Sequence, residues 1–228
     1  MPPRCGHAPI DRPSGGTVPF VRGGRALPMF PLGNVLFPHA QLPLHVFEPR
    51  YRALAETCLA GDGEFGVVLI ERGSEVGGGD TRFSIGTVAR IVAAGRLPDG
   101  RYLLATEGTR RLRVREWLPD DPFPRAEVEL LGEPGSPGDA GAARADVERL
   151  LKRVLAMSAE VGDAPTSIDV VLHDDPAQAA FEAAAAAPIG PLDAQRLLEL
   201  DDPGERLAQL RALLADQAEL LELRLSGT

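Results

Sequence analysis

Apolar residues along this chain follow two different rhythms. Up to about residue 131 they come as short alternating or continuous runs bounded by turn residues, and beyond residue 141 they recur every three or four positions. The first pattern predicts strands and the second predicts helices. The densest apolar stretch is Ala26–Arg52, broken by Pro28, Pro31, Pro38, Pro43 and Pro49. Proline lacks an N–H and has a fixed φ, so the stretch reads as short strand pieces separated by turns. The expected pieces are Leu27–Phe30, Val35–Phe37 and Leu42–Phe47, with Leu32-Gly33-Asn34 as a turn. In the last piece Leu42, Leu44 and Val46 fall on one side and Pro43, His45 and Phe47 on the other.

Glu48-Pro49-Arg50 opens a helix with proline in the first turn, where a missing N–H is harmless. Tyr51, Leu54, Ala55, Cys58 and Leu59 then form one apolar face, and Gly61 stops it. Phe65–Ile70 is a continuous apolar run that predicts a strand buried on both faces, and Arg72–Thr81 reads as a mobile loop. Strands are expected at Ser84–Ala94, Tyr102–Glu107, Arg111–Trp117 and Ala126–Leu131, with a Pro-Asp-Gly turn at Leu97–Gly100. Such a succession suits a closed or nearly closed antiparallel sheet.

Gly132–Gly141 reads as a hinge rich in Gly, Pro and Ser. Val147, Leu150, Leu151, Val154 and Leu155 mark the helix that follows it. Asp175-Pro176 starts an alanine-rich helix that Pro188 ends, and Pro191–Leu200 is another. Asp202-Pro203-Gly204-Glu205 has the form of an N-cap and capping box, ahead of a stripe of Leu207, Leu210, Leu214 and Leu221. The fold class expected is α+β. A β-rich pseudo-barrel lobe with one short helix (residues 25–132) precedes an all-helical bundle lobe (133–228), after a disordered tail of residues 1–24 rich in Pro, Gly and Arg.

The run LPMFPLGNVLFPHAQLPLHVFEPRYRAL, from Leu27 to Leu54, resembles the opening of the N-terminal substrate-binding domain of Lon proteases, shared with small stand-alone bacterial proteins. The resemblance continues through Phe83–Ala89, Leu97–Gly100 and Glu107–Arg111, and resumes in Leu197–Leu200 and Asp202–Leu207. It spans roughly residues 25 to 225 and implies substrate selection for proteolysis, with the protease supplied by another chain.

Charge and composition narrow the chemistry. The formal net charge is −9 with a pI near 5.0, which argues against binding nucleic-acid phosphates. No apolar run is long enough to span a membrane, and nothing resembles a secretory signal, so a reduced cytoplasmic setting is expected. Cys5 and Cys58 make neither a disulfide framework nor a metal quartet, and Cys58 reads as a small core residue. Lys152 is the only lysine and has no glycine loop before it, so no P-loop of the Gly-Lys-[Ser/Thr] kind is present. Ser158, six residues further on, is poorly spaced to share a helical face with Lys152 as a catalytic dyad.

His39, His45 and Glu48 invite a metal reading, but an extended Leu42–Glu48 points His45 and Glu48 to opposite faces; no metal site and no cofactor is expected. Arg111, Arg113 and Arg115 read either as an anion-binding ladder or, preferably, as a solvated strand face beside Glu107 and Glu116. Glu48 and Arg50 read as a helix-terminus ion pair or as the rim of a groove. Leu32, Val35, Phe37, Pro38, Leu42, Leu44 and Phe47 are core residues for the most part, and those left exposed would form a binding patch.

These readings converge on a non-enzymatic module that binds extended or unfolded polypeptide through those residues and Arg50, with no catalytic residues. It would work with a separate protease or chaperone, and without nucleic acid or membrane. The competing expectations are a hydrolase using a carboxylate or His45, and a scaffold that docks through its final helix with leucines uncovered.

Overall fold

In a computed structural model, residues 24–72, 81–132, 140–162 and 170–226 are described. The expected disordered tail, the 72–81 loop and the 132–141 hinge therefore fall almost wholly outside the described residues. Six strands and five helices follow in the order β1 (Arg25–Leu32), β2 (Gln41–Val46), α1 (Pro49–Ala60), β3 (Glu64–Arg72), β4 (Thr81–Arg96), β5 (Tyr102–Leu118), β6 (Arg125–Leu130), α2 (Ala140–Glu160), α3 (Pro176–Ala186), α4 (Pro191–Glu199) and α5 (Pro203–Ser226). The α+β class and the β-then-α order match the sequence reading.

The sheet runs β2-β5-β4-β3-β1-β6, and β6 returns to pair with β5. Five strands thus close into a small barrel, and β2 lies outside it on the first half of β5. The barrel is not wholly antiparallel: Met29–Leu32 of β1 pair in parallel with Gly66–Leu69 of β3. The chain between them, which includes β2 and α1, is the crossover that a parallel pair requires.

Two expectations about strands need correction. Tyr102–Glu107 and Arg111–Trp117 are one strand, β5, because Gly108 continues the ladder instead of breaking it. A Cβ on Gly108 would lie 2.2 Å from the Phe37 carbonyl oxygen, so glycine is there to admit a neighbouring backbone. Val35–Phe37 is not a strand but part of the irregular link Gly33–Ala40. Its carbonyls find donors outside any ladder: Thr87 Oγ1 donates to the Leu36 carbonyl at 2.6 Å, and Ala40 N–H to that of Phe37 at 3.2 Å.

That link ties the two halves together. Leu36 is buried in the cluster formed by α1 and the barrel wall, with Phe30, Tyr51, Leu54 and Phe65. The next side chain, Phe37, is buried in the helical core instead, its ring 6.2 Å from that of Phe181. A further cluster, including Leu27, Met29, Val88 and Leu112, fills the barrel interior.

Helix boundaries follow the signals read from the sequence. Asp175 caps α3 by accepting from the Ala177 N–H, and Asp202 Oδ1 accepts from the Glu205 N–H at 2.8 Å at the start of α5. Leu207, Leu210, Leu214 and Leu221 are all buried against the chain's own helices, contrary to the uncovered stripe a docking scaffold requires; Leu220 and Leu223 are the leucines of α5 that face out. On α1, Leu59 leaves the buried stripe and is exposed, since the face drifts toward solvent near the helix end.

At one end of the barrel Glu64, almost fully buried, receives Arg25 at 2.7 Å and Arg90 at 3.0 Å, with Arg110 at 3.7 Å. Burial alone pushes its pKa up, but hydrogen bonds from Arg25 and Arg90 and the charge of Arg110 outweigh burial and hold it below its ordinary 4.5. A carboxylate with a depressed folded-state pKa stabilises the fold above its unfolded value, and loses that contribution as pH falls through the folded one. Stability is therefore expected to drop below about pH 4.5. In Glu64→Gln, chemical-denaturation curves should show a shallower loss across that acid range; an unchanged slope would remove Glu64 from the account.

Candidate peptide-binding edge

β2 pairs with β5 alone, from Gln41↔Glu107 to Val46↔Tyr102. Just before it, Gly108 donates to the Ala40 carbonyl at 2.8 Å, which makes Ala40 a hydrogen-bonded position. Alternation then turns Leu42, Leu44 and Val46 toward β5 for hydrogen bonding, and Gln41, Pro43 and His45 toward the open edge. Pro43 is consistent with this phase, because a proline at an inward position would leave a β5 carbonyl without its donor. The open edge offers the N–H groups of Gln41 and His45 and the carbonyls of Gln41, Pro43 and His45. No other strand covers it among the described residues.

The two faces beside this edge are apolar. On the outer face Pro43 and His45 continue onto Leu103 and Ala105 of β5 and Ala93 and Gly95 of β4, forming a broad depression of about 640 Å³. Leu103 is 49% exposed and Phe47 54%, both large apolar side chains on the surface. On the inner face a smaller hollow of about 220 Å³ is walled by Phe30, Leu32, Leu44, Val46, Phe47 and Tyr51, reaches the edge residues Pro43 and His45, and has Glu48 at its margin. Phe30 and Tyr51 stack with centroids 4.1 Å apart, which fixes its back wall.

The residues expected to bind divide between these roles. Leu32, Leu44 and Phe47 line the inner hollow, and Leu42 is half-buried on the same side of β2. Phe37 and Pro38 are buried, and Val35 packs against the helical core, so these three position the edge from behind. Arg50 is largely covered, its Nε 3.1 Å from Glu48 Oε2 and its guanidinium over the Tyr51 ring. The helix-terminus ion pair is thus present, and it stands next to the hollow. Sequence reasoning missed Ala93, Gly95, Leu103 and Ala105. The outward parity of Leu103 and Ala105 within Tyr102–Glu107 was the available signal.

Arg111 takes neither role first considered for it. It is fully buried, and its guanidinium donates to the carbonyls of Leu198 at 3.0 Å and Leu200 at 2.9 Å and to Asp201 at 3.0 Å. The end of α4 leaves carbonyls without helical donors, and Arg111 supplies one from the barrel. Arg113 and Arg115 remain on the surface beside Glu129. His45 stands at the open edge of β2, where it borders the same hollow as Glu48, and His39 occupies a turn at φ 65. Among the described residues no group of three His, Cys, Asp or Glu is placed to hold a metal. Burial, and secondarily Asp62, push the Cys58 thiol up to about 12, so it stays protonated in the core. Among the same residues no helix is long and apolar enough to cross a membrane.

A closed β lobe, an edge strand outside it and a helical lobe locked on through Arg111 and Phe37 define a protein class known from solved structures. The fold is similar to a Lon N-terminal domain protein from Xanthomonas campestris, at 30% identity and a TM-score of 0.62, covering 82% of this chain and 98% of that one. It is also similar to the N-terminal domain of the Mycobacterium avium complex Lon protease, with a TM-score of 0.63 at 20% identity, covering 84% of this chain and 99% of that one. The ATP-dependent protease La (LON) substrate-binding domain matches residues 26–216, and the chain belongs to that family. Among curated relatives, the Lon protease of Cytophaga hutchinsonii is 31% identical over 204 residues, covering 87% of this chain and 25% of the relative. The Escherichia coli Lon protease is 29% identical over 204 residues, covering 86% and 25% respectively. The chain thus spans about a quarter of the length of the curated relatives it matches.

Proposed function

We propose that this chain is a polypeptide-binding module that takes extended or unfolded segments as an added strand on β2, and acts as an adaptor or regulator for a protease or chaperone carried by another chain. Membership of a family named for substrate binding supports the kind of partner. The observation that carries the reading is the unpaired edge of β2, flanked on both faces by apolar surface. An added strand gains main-chain hydrogen bonds from such an edge, and its side chains gain burial on either face. Nothing in this requires bond-making chemistry.

Phe47→Asp and Leu103→Asp place a charge on each face without touching the core, since both side chains are largely exposed. Each is expected to weaken binding of a reduced and alkylated unfolded protein roughly tenfold, a change of about 1.4 kcal/mol. Thermal stability should hardly move, as for most surface substitutions. Unchanged affinity in both variants would contradict the reading.

A further inference from the structure

We propose, resting on the strand-addition reading, that the bound segment is recognised chiefly at one residue: a large apolar side chain that fills the inner hollow, in a stretch that is neutral or basic. Successive side chains of an added strand point to opposite faces of the sheet, so the two faces are read separately. The outer face is broad and shallow over Ala93, Gly95 and Ala105, a floor of small residues that grips no particular side chain. The inner face has instead a walled hollow of about 220 Å³ against the stacked Phe30 and Tyr51 rings. That is below the roughly 300–1,000 Å³ of small-molecule sites, and suits a single side chain.

Charge limits what surrounds the anchor. Glu48 is the one charged residue lining the hollow, held at its margin by Arg50, and the chain carries a formal net charge of −9. Arg50 offsets the Glu48 charge locally, so it is over the longer range that an acidic residue beside the anchor meets charge of its own sign, whereas lysine or arginine does not.

Fluorescent peptides about as long as an ordinary strand test this, titrated with the whole chain. Serine, alanine and lysine make the background, with no leucine, one leucine, two adjacent leucines or two leucines at alternate positions. The first leucine is expected to tighten binding about tenfold or more, as burial of one such side chain does. A second leucine should add only the small statistical gain of another register, in either spacing. Replacing lysine by glutamate next to a single leucine should return affinity to that of the leucine-free peptide. Leu32→Phe, which occupies the hollow from its own wall, should abolish the gain from the first leucine.

Affinity that climbs equally with every leucine, or that ignores glutamate, would overturn single-anchor recognition. His45→Pro removes one of the outward N–H groups of the edge, and if it weakened binding in that case, strand addition would stand without the anchor. Failure of every peptide to bind would overturn both.

Discussion

Arg111→Ala is expected to destabilise this protein by about 3–5 kcal/mol. Its side chain is fully buried between the barrel and α4, and its removal strips the Leu198 and Leu200 carbonyls of a donor inside the fold. The Leu200 carbonyl keeps a donor from Arg206, so the main loss is at Leu198, where an orphaned acceptor costs about 1–3 kcal/mol, and the vacated volume adds to that. Asp201 contributes less, because its own side chain is 71% exposed and regains water. Arg206 keeps the Leu200 carbonyl bonded, so that part of the contact survives. It is buried too, but bonds Leu197 and Leu200 from α5 and stacks over Phe181, so it belongs to the helical side of the joint. Arg113→Ala, two residues along the same strand and partly exposed, is the control and should change stability by about 0.5 kcal/mol at most. Equal losses from the two substitutions in urea melts would show that Arg111 has no special place.

Phe37→Ala should cost about 3–5 kcal/mol as well, by the different route of opening a cavity in the helical core. Since Leu36 stays in the barrel-side core, the damage is expected on one side of the joint only. Hydrogen exchange should accelerate first in α3, whose Phe181 loses its aromatic neighbour, and leave the amides of β3 and β4 protected. Uniform acceleration through both halves would instead mean that the joint is shared more evenly than the packing indicates.

Much of this architecture was legible in periodicity, and the failures share a cause. Alternation placed Leu42, Leu44 and Val46 on the core side of β2, the three- and four-residue spacing placed the stripes of α2 and α5, and Asp175 and Asp202 announced their helices. All of those signals are local. Val35–Phe37 has strand composition but lies in an irregular link, because Thr87 takes up the Leu36 carbonyl and Gly108 the backbone of His39 and Ala40 just beyond, both from positions distant in sequence. Arg111 alternates like a solvated residue and is buried because the end of α4, some ninety positions later, closes over it. The parallel β1–β3 pair is likewise a fact of topology, not of composition.

The candidate site shows the same division. Leu44 and Phe47 could be marked from the apolar ribbon alone, whereas Ala93, Gly95, Leu103 and Ala105 join it only because β4 and β5 bring them alongside β2. Small residues on a strand carry no signal of their own. Their meaning comes from the edge they stand beside.

Strand addition makes a residue-level claim about two amides, and amide exchange followed by NMR tests it most directly. Free in solution, the N–H groups of Gln41 and His45 should exchange quickly while those of Leu42 and Leu44 are slowed by their bonds to β5. On saturation with an unfolded polypeptide, Gln41 and His45 should become protected together, and Pro43 between them carries no N–H to report. Binding that leaves both amides exchanging at their free rates, with protection arising elsewhere, would contradict the account.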